Sequence, residues 1–148
     1  MRFDIATVLV FAAMATASAI PHDHGEDLSS PAPRRPLDKR DSYDCKGSSM
    51  CSSMQVKYCD DAVNSKLIRN NDVNYGAPGS GRPQTGACSN IFAGYGCGVF
   101  IQGKSHCART GNEMWQDYQD IRSNDCKKCG TKHWGDGCMT TINYVSGC

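Results

Sequence analysis

Acid–base chemistry needs several titratable side chains brought to one point, and this sequence offers few from which to choose. Between Asp41 and Cys148 there are two histidines, His106 and His133, and one glutamate, Glu113. Together with an arginine they are the residue types of a small secreted ribonuclease. Glu113, however, has a competing task as a helix cap, and His106 sits beside Cys107. No G-x-S-x-G, H-E-x-x-H or phosphate loop occurs. The expectation is a protein without catalytic residues, not an enzyme. Metal chemistry fares no better. Cys126-Lys-Lys-Cys129 has zinc-ligand spacing but lacks a second C-x-x-C pair, and His22-Asp23-His24 has no further ligand nearby. No metal and no other cofactor is expected.

Cysteine chemistry of another kind dominates. Cys45, Cys51, Cys59, Cys88, Cys97, Cys107, Cys126, Cys129, Cys138 and Cys148 all follow Asp41. At that density a short secreted chain reads as a disulfide scaffold, and an even count predicts five bridges with no free thiol. The N-terminal residues supply the oxidising route. Arg2, the apolar run Ile5 to Ala15 and the small residues Ala17-Ser18-Ala19 have the layout of a secretory signal peptide over 1–19, too short in its apolar part for a membrane anchor. Residues 20–40 carry Pro21, Pro31, Pro33 and Pro36 and an acidic cluster, with little to bury, as in a propeptide. Lys39-Arg40 closes that segment as a dibasic processing site. The competing pair, Arg34-Arg35, is followed by Pro36, a poor residue just after a scissile bond. The working domain is therefore expected to be 41–148, secreted and extracellular.

Charge excludes one class of partner. Residues 41–148 hold 11 Lys plus Arg against 10 Asp plus Glu. A near-neutral balance argues against a general nucleic-acid binder, leaving local clusters such as Lys127, Lys128 and Lys132.

Two helices must carry part of the scaffold. Ser48 or Ser49 can cap a first helix in which Cys51, Met54, Tyr58 and Ala62 recur on one face. That pattern dissolves between Asn64 and Asn71. Thr110-Gly-Asn-Glu113 fits a capping box for a second helix running to about Asn124, with Met114, Tyr118 and Ile121 as its apolar stripe and Trp115 beside it. Gly98 to Gln102 and Met139 to Val145 read as strands, and Tyr43 to Lys46, Asp72 to Tyr75 and Gly86 to Ile91 as weaker ones. These elements predict an α+β domain, an α/β sandwich with one antiparallel sheet carrying two antiparallel helices on one face. Gly76 to Gly86, with four glycines and two prolines, is an exposed loop presenting Arg82.

The words "DCKGSSMC", "GVFIQG", "DCKKCG" and "TTINYVSGC", in that order, carry a resemblance. From about Asp44 to Cys148 the chain resembles the secreted killer toxins of fungi typified by the virus-encoded killer protein four of a smut fungus. The resemblance implies the same α/β sandwich. It also implies that the first two cysteines pair with the C-x-x-C, as Cys45–Cys126 and Cys51–Cys129, tying the start of helix one to the end of helix two. A third pair carried over is Cys88–Cys148. Cys97 and Cys138 fall where the family's type has no cysteine. Both enter predicted strands, so Cys97–Cys138 is expected as a sheet-edge bridge, leaving Cys59–Cys107.

The function implied is toxicity to competing or host cells through block of voltage-gated calcium channels and calcium uptake. The protein would act as a monomer on a membrane protein of the target cell. A cationic side chain at a channel mouth can do this by occupying a site built for cations. The family carries a basic stretch with a functional lysine just before the cysteine aligned with Cys88. Here Gly86 stands at the lysine's place and Arg82 is the loop's cation. Arg82 is the first candidate for target binding, followed by Lys104, Lys127 and Lys128. The alternative is a non-enzymatic effector that binds a soluble or cell-wall component.

Overall fold

A computed structural model describes residues 41–148, so the expected signal peptide (1–19), propeptide (20–40) and Lys39-Arg40 site lie outside the described residues. The described chain is a small α+β domain: an antiparallel sheet, two helices and five disulfides. Five strands, β1 (Ser42–Asp44), β6 (Gly130–Gly135), β7 (Cys138–Ser146), β4 (Tyr95–Gln102) and β3 (Gly86–Phe92), lie side by side in that order, each antiparallel to its neighbour. A two-stranded ribbon pairs β2 (Tyr75–Gly76) with β5 (Ala108–Arg109). The two strongest sequence-predicted strands fall within β4 and β7. They form the longest ladder of the sheet, from Tyr95 opposite Ser146 to Gln102 opposite Met139.

Alternation along this ladder makes the core. Cys97, Val99 and Ile101 of β4 and Thr140 and Ile142 of β7 point the same way and are buried. Against them lie Met114, Tyr118 and Ile121 of helix α2 (Gly111–Ser123), the predicted stripe. Helix α2 starts where its capping box requires. The Thr110 hydroxyl accepts from the Glu113 N–H at 3.1 Å, and the Glu113 carboxylate accepts from the Thr110 N–H at 2.8 Å.

The first helix departs from expectation. In place of one continuous segment there is a 3-10 turn (Ser49–Ser53), an extended step at Met54 and Gln55, helix α1 (Val56–Asp61) and a π turn (Ala62–Lys66). Ser48 does cap the start, accepting from the Met50 N–H. The hydroxyls of Ser52 and Ser53 then donate to the carbonyls of Ser49 and Met50, and serine favours such local bonding over a regular helix. The disulfides demand the break as well. Cys51 is held beside Asn143, which pairs with Gly98 across the sheet and so occupies the face opposite to Cys97. Cys59, eight residues on, is bonded to Cys97 itself.

Three bridges match the pairings implied by the resemblance: Cys45–Cys126, Cys51–Cys129 and Cys88–Cys148. The other two expected pairs, Cys97–Cys138 and Cys59–Cys107, are corrected to Cys59–Cys97 and Cys107–Cys138. The sheet register explains why. Cys97 stands opposite Tyr144, six residues along β7 from Cys138, a separation of roughly 20 Å at strand rise. Its side chain faces the core, where α1 brings Cys59 to a Cα–Cα distance of 5.1 Å. Cys138 opens β7 next to the turn holding Cys107, at 5.4 Å.

Strands β5 and β6 have no counterpart in the sequence reading. Strand β6 is short and bounded by glycines, and its Lys132 and His133 read as solvated polar residues rather than as the buried and half-buried positions they occupy.

Peptide mapping of the non-reduced protein should yield fragments joining Cys59 to Cys97 and Cys107 to Cys138; a Cys97–Cys138 fragment would contradict the β4–β7 register. Thr110→Ala should lower unfolding free energy by about 1 kcal/mol in a urea titration, the usual cost of a lost cap.

Candidate functional site

Several groups with acid–base capacity are engaged in holding the fold. Lys132 on β6 is buried, its side chain 8% exposed, and its ammonium meets three carboxylates: Asp120 at 2.6 Å, Asp117 at 2.9 Å and Asp41 at 3.2 Å. Asp117, whose side chain is 4% exposed, also accepts from the Thr140 hydroxyl at 2.6 Å. It lies 3.4 Å from Nε of Arg109. The guanidinium of Arg109 stacks 3.9 Å from the Trp134 ring centroid and reaches Glu113 at 3.3 Å. Burial acts to lower the basicity of Lys132, but bonds to Asp120, Asp117 and Asp41 outweigh it and hold the pKa above the ordinary lysine value. Such an amine stays protonated and is neither a base nor a nucleophile at neutral pH. The earlier grouping of Lys132 with the solvated Lys127 and Lys128 is therefore corrected.

His133 and Glu113 are likewise engaged. Nε2 of His133 lies 2.8 Å from Asp44, joining β6 to β1. Burial would raise the Asp44 pKa, but the His133 bond and the Lys46 N–H bring it below the usual carboxylate range. Glu113 is also lowered. Its burial is outweighed by the Thr110 cap bonds and by Arg109. His106 is exposed, with Nε2 3.6 Å from Sγ of Cys138. His106, Cys107 and Cys138 cluster closely, but both sulfurs are committed to one disulfide and offer no thiolate to a metal. The two sulfurs of the Cys126-x-x-Cys129 pair are bonded elsewhere in the same way. Tyr118, buried and donating to Asp60 at 2.7 Å, is pushed up to about 12.

The sequence-predicted binding residues fall at two places. Arg82 is exposed in the loop between β2 and β3, and Lys104 is exposed in the turn after β4. These segments adjoin. The Ala77 N–H donates to the Cys107 carbonyl at 2.9 Å, and a side chain at Gly79 would touch Ser105. The turn between β6 and β7 joins them, since a side chain at Gly103 would meet the Gly137 carbonyl. Arg82 and Lys104 thus belong to one loop cluster. Lys127 and Lys128 stand apart, between the two bridged cysteines that follow α2. Lys128 donates to the Ser52 carbonyl across the Cys51–Cys129 bridge, whereas the side chains of Arg82, Lys104 and Lys127 meet no partner among the described residues.

Beside the Arg82 loop, on the sheet face away from α2, lies a shallow cavity of about 290 Å³. Gly86, Cys88, Gly98, Phe100 and Val145 are among the residues that line it. Sequence reasoning missed it, because its lining comes from three neighbouring strands, β3, β4 and β7, that only register brings together.

Residues 43–148 match the model of a family described as the Meiotically up-regulated gene family. No curated protein matches the chain.

Lys132→Met should destabilise the fold by about 3–5 kcal/mol in chemical denaturation, because the buried Asp117 and the half-buried Asp120 would lose the ammonium they share. Stability should vary with pH on both sides. Asp44, Glu113 and Asp120 have lowered folded pKa values. Their contribution is full above the unfolded carboxylate range near ~4 and lost as pH falls through the folded values. The raised Lys132 contributes fully below the unfolded lysine value near ~10.4 and loses its contribution as pH rises through the folded one. Urea midpoints measured from pH 2 to 11 test both limbs, and Lys132→Met should flatten the alkaline one.

Proposed function

Because the chain belongs to the Meiotically up-regulated gene family, a description that carries no chemistry, we propose its function from its scaffold and its loops. The protein is a secreted, extracellular, non-enzymatic toxin-like protein that inhibits competing or host cells by binding a membrane target, with voltage-gated calcium channels the first candidate. In this reading the domain is an α/β sandwich, with α1 and α2 on the side of the sheet to which Cys97, Val99, Ile101 and Ile142 point. The sequence resemblance to fungal killer toxins suggests the activity. Cleavage after Arg40 would release the domain.

The observation that carries the proposal is the division of charge. The acid–base groups Lys132, Asp117, Asp120, Glu113 and His133 are spent on structure, while Arg82 and Lys104 share one exposed loop cluster without partners among the described residues. The Cys107–Cys138 bridge stiffens that cluster, so presenting a cation from it carries little ordering cost. An arginine so placed can occupy a cation site at an acidic pore mouth. Lys127 supplies a separate charge at the other bridged end.

A second reading, an effector that binds a soluble or cell-wall component, is favoured by Gly86. Where the resemblance places a functional lysine, this chain has a glycine that lines the cavity together with Phe100. Such a cleft suits one small uncharged group rather than a channel.

Protein purified from a secreting host would be applied to fungal and plant cells with and without excess external calcium. Growth inhibition that calcium relieves, and that Arg82→Gln weakens about tenfold in potency, is the expected result. Inhibition indifferent to calcium and to Arg82 would overturn the channel target, and no inhibition of any cell would favour the second reading.

A further inference from the structure

His106 joins no ion pair or helix cap among the described residues, and it stands beside a disulfide. Its Nε2 lies 3.6 Å from Sγ of Cys138. A ring nitrogen of His106 and the sulfurs of Cys107 and Cys138 all fall within 4.8 Å of one another. The imidazole is exposed, whereas both cysteines are buried. Backbone contacts set the two segments that carry those cysteines. The Cys107 N–H donates to the Lys104 carbonyl at 2.9 Å, closing the turn after β4. Gln102 stands opposite Met139, which aligns that turn with the start of β7. Register thus brings Cys107 and Cys138 together, 5.4 Å apart at Cα. Closing the bond then depends on a thiolate, the attacking species in thiol–disulfide exchange, and a buried apolar setting opposes its formation. A thiol placed as Cys138 is needs a base at its sulfur. Imidazole exchanges protons near neutral pH, and His106 reaches the buried sulfur while open to solvent.

We propose that His106 is the general base that closes the Cys107–Cys138 bridge during oxidative folding. The co-reactant is a low-molecular-weight disulfide of the glutathione class. Cys107 first exchanges with it, releasing one small thiol and becoming a mixed disulfide. Cys138 then gives its proton to Nε2 of His106, in the tautomer protonated at Nδ1, and its thiolate attacks Sγ of Cys107. The bond between Cys107 and the small thiol breaks. That second small thiol leaves with the proton the imidazolium gives up. Two protein thiols are oxidised, and one small disulfide is reduced to two thiols. Charged groups on the adjoining segments are Lys104 in the same turn, Asp136 in the β6–β7 turn and Arg82 in the β2–β3 loop. Arg109, three residues on, is committed to Asp117 and Glu113. Lys104 and Arg82 can favour a thiolate by charge but do not take its proton. The bridge braces the loops that carry Arg82 and Lys104, and its closure does not depend on what target those cations meet.

Protein from a secreting host would be reduced, denatured and refolded in reduced and oxidised glutathione at pH values from 6 to 9.5. Samples quenched by alkylation at intervals would be mapped bridge by bridge. His106→Gln should slow the appearance of the Cys107–Cys138 fragment about tenfold at pH 7 relative to the other four bridges, a modest general-base factor. The deficit should shrink as pH rises past the ordinary thiol value near ~8.5, where thiolate forms unaided. Lys104→Gln should keep the pH profile of the parent. If reduced protein does not refold, the oxidised protein answers the same question, because opening the bridge passes through the same transition state. Dithiothreitol should then open Cys107–Cys138 about tenfold more slowly in His106→Gln at pH 7. Equal rates in parent and variant, a slowing shared by all five bridges, or a slowing that does not change with pH would each overturn the proposal. A Lys104→Gln profile that copies His106→Gln would assign the effect to local charge and equally overturn it. The growth assay reads fully oxidised protein, so its calcium and Arg82 results are independent of all these outcomes.

Discussion

A buried ammonium joins the second helix to the outer half of the sheet. Lys132 projects from β6 toward α2 and meets Asp117 and Asp120 there, while Asp41 approaches from the start of β1. An isolated charge at that depth would cost several kcal/mol. Two carboxylates from one helix turn, with the Thr140 hydroxyl and the Arg109 guanidinium on the same acid, make the burial tolerable. The consequence is that α2 has one rotation and one height on the sheet at which Asp117 and Asp120 both reach Lys132. The helix then sets Met114, Tyr118 and Ile121 against Val99, Ile101 and Ile142. The disulfides act on the flanks of this arrangement, tying the segment after α2 back to the N-terminal turn and tying α1 to the middle of β4.

That economy leaves the periphery for function. Asp44, Glu113 and Lys132 lie in a strand pair, a helix cap and the interior, where partners hold them in their charged forms. What faces outward differs at the two ends of the central hairpin. One end gathers Arg82 and Lys104 on loops braced by the Cys107–Cys138 bridge; the other exposes Phe92 and Tyr95. A protein that acts by contact needs such surfaces held rigid, and covalent cross-links supply rigidity that a domain of this size builds only partly from its core.

Much of the fold was legible locally. The capping box at Thr110 and the stripe Met114, Tyr118 and Ile121 define α2 because helix termini and helix faces are set by residues three and four apart. The apolar alternation around Val99 and Ile142 defines the central ladder for the same reason at a period of two. The first helix was misread. Of its stripe Met54 and Ala62 are buried and Cys51 and Tyr58 half-buried, but the serine hydroxyls and two diverging disulfides break the backbone between them. Strand β6 was invisible because its central residue is a lysine, and a lysine in a strand signals exposure unless its carboxylates are already known. Arg82 is exposed in the glycine- and proline-rich loop where the sequence places it. The cavity lined by Gly86 and Gly98 was not foreseen, being a property of neighbouring strands in register.

By itself, then, the sequence determined the class of the domain, the position of α2, the central strands and the presence of an oxidised cysteine scaffold. These depend on periodicity and composition, which act over a few residues. Tertiary structure alone decided which of Cys59, Cys97, Cys107 and Cys138 meet, that Lys132 is buried rather than solvated, and that Arg82 and Lys104 share an end of the hairpin opposite Phe92. Each of those is a statement about residues far apart in the chain. Strand register and the satisfaction of buried charge fix them, and neither is written in any local pattern.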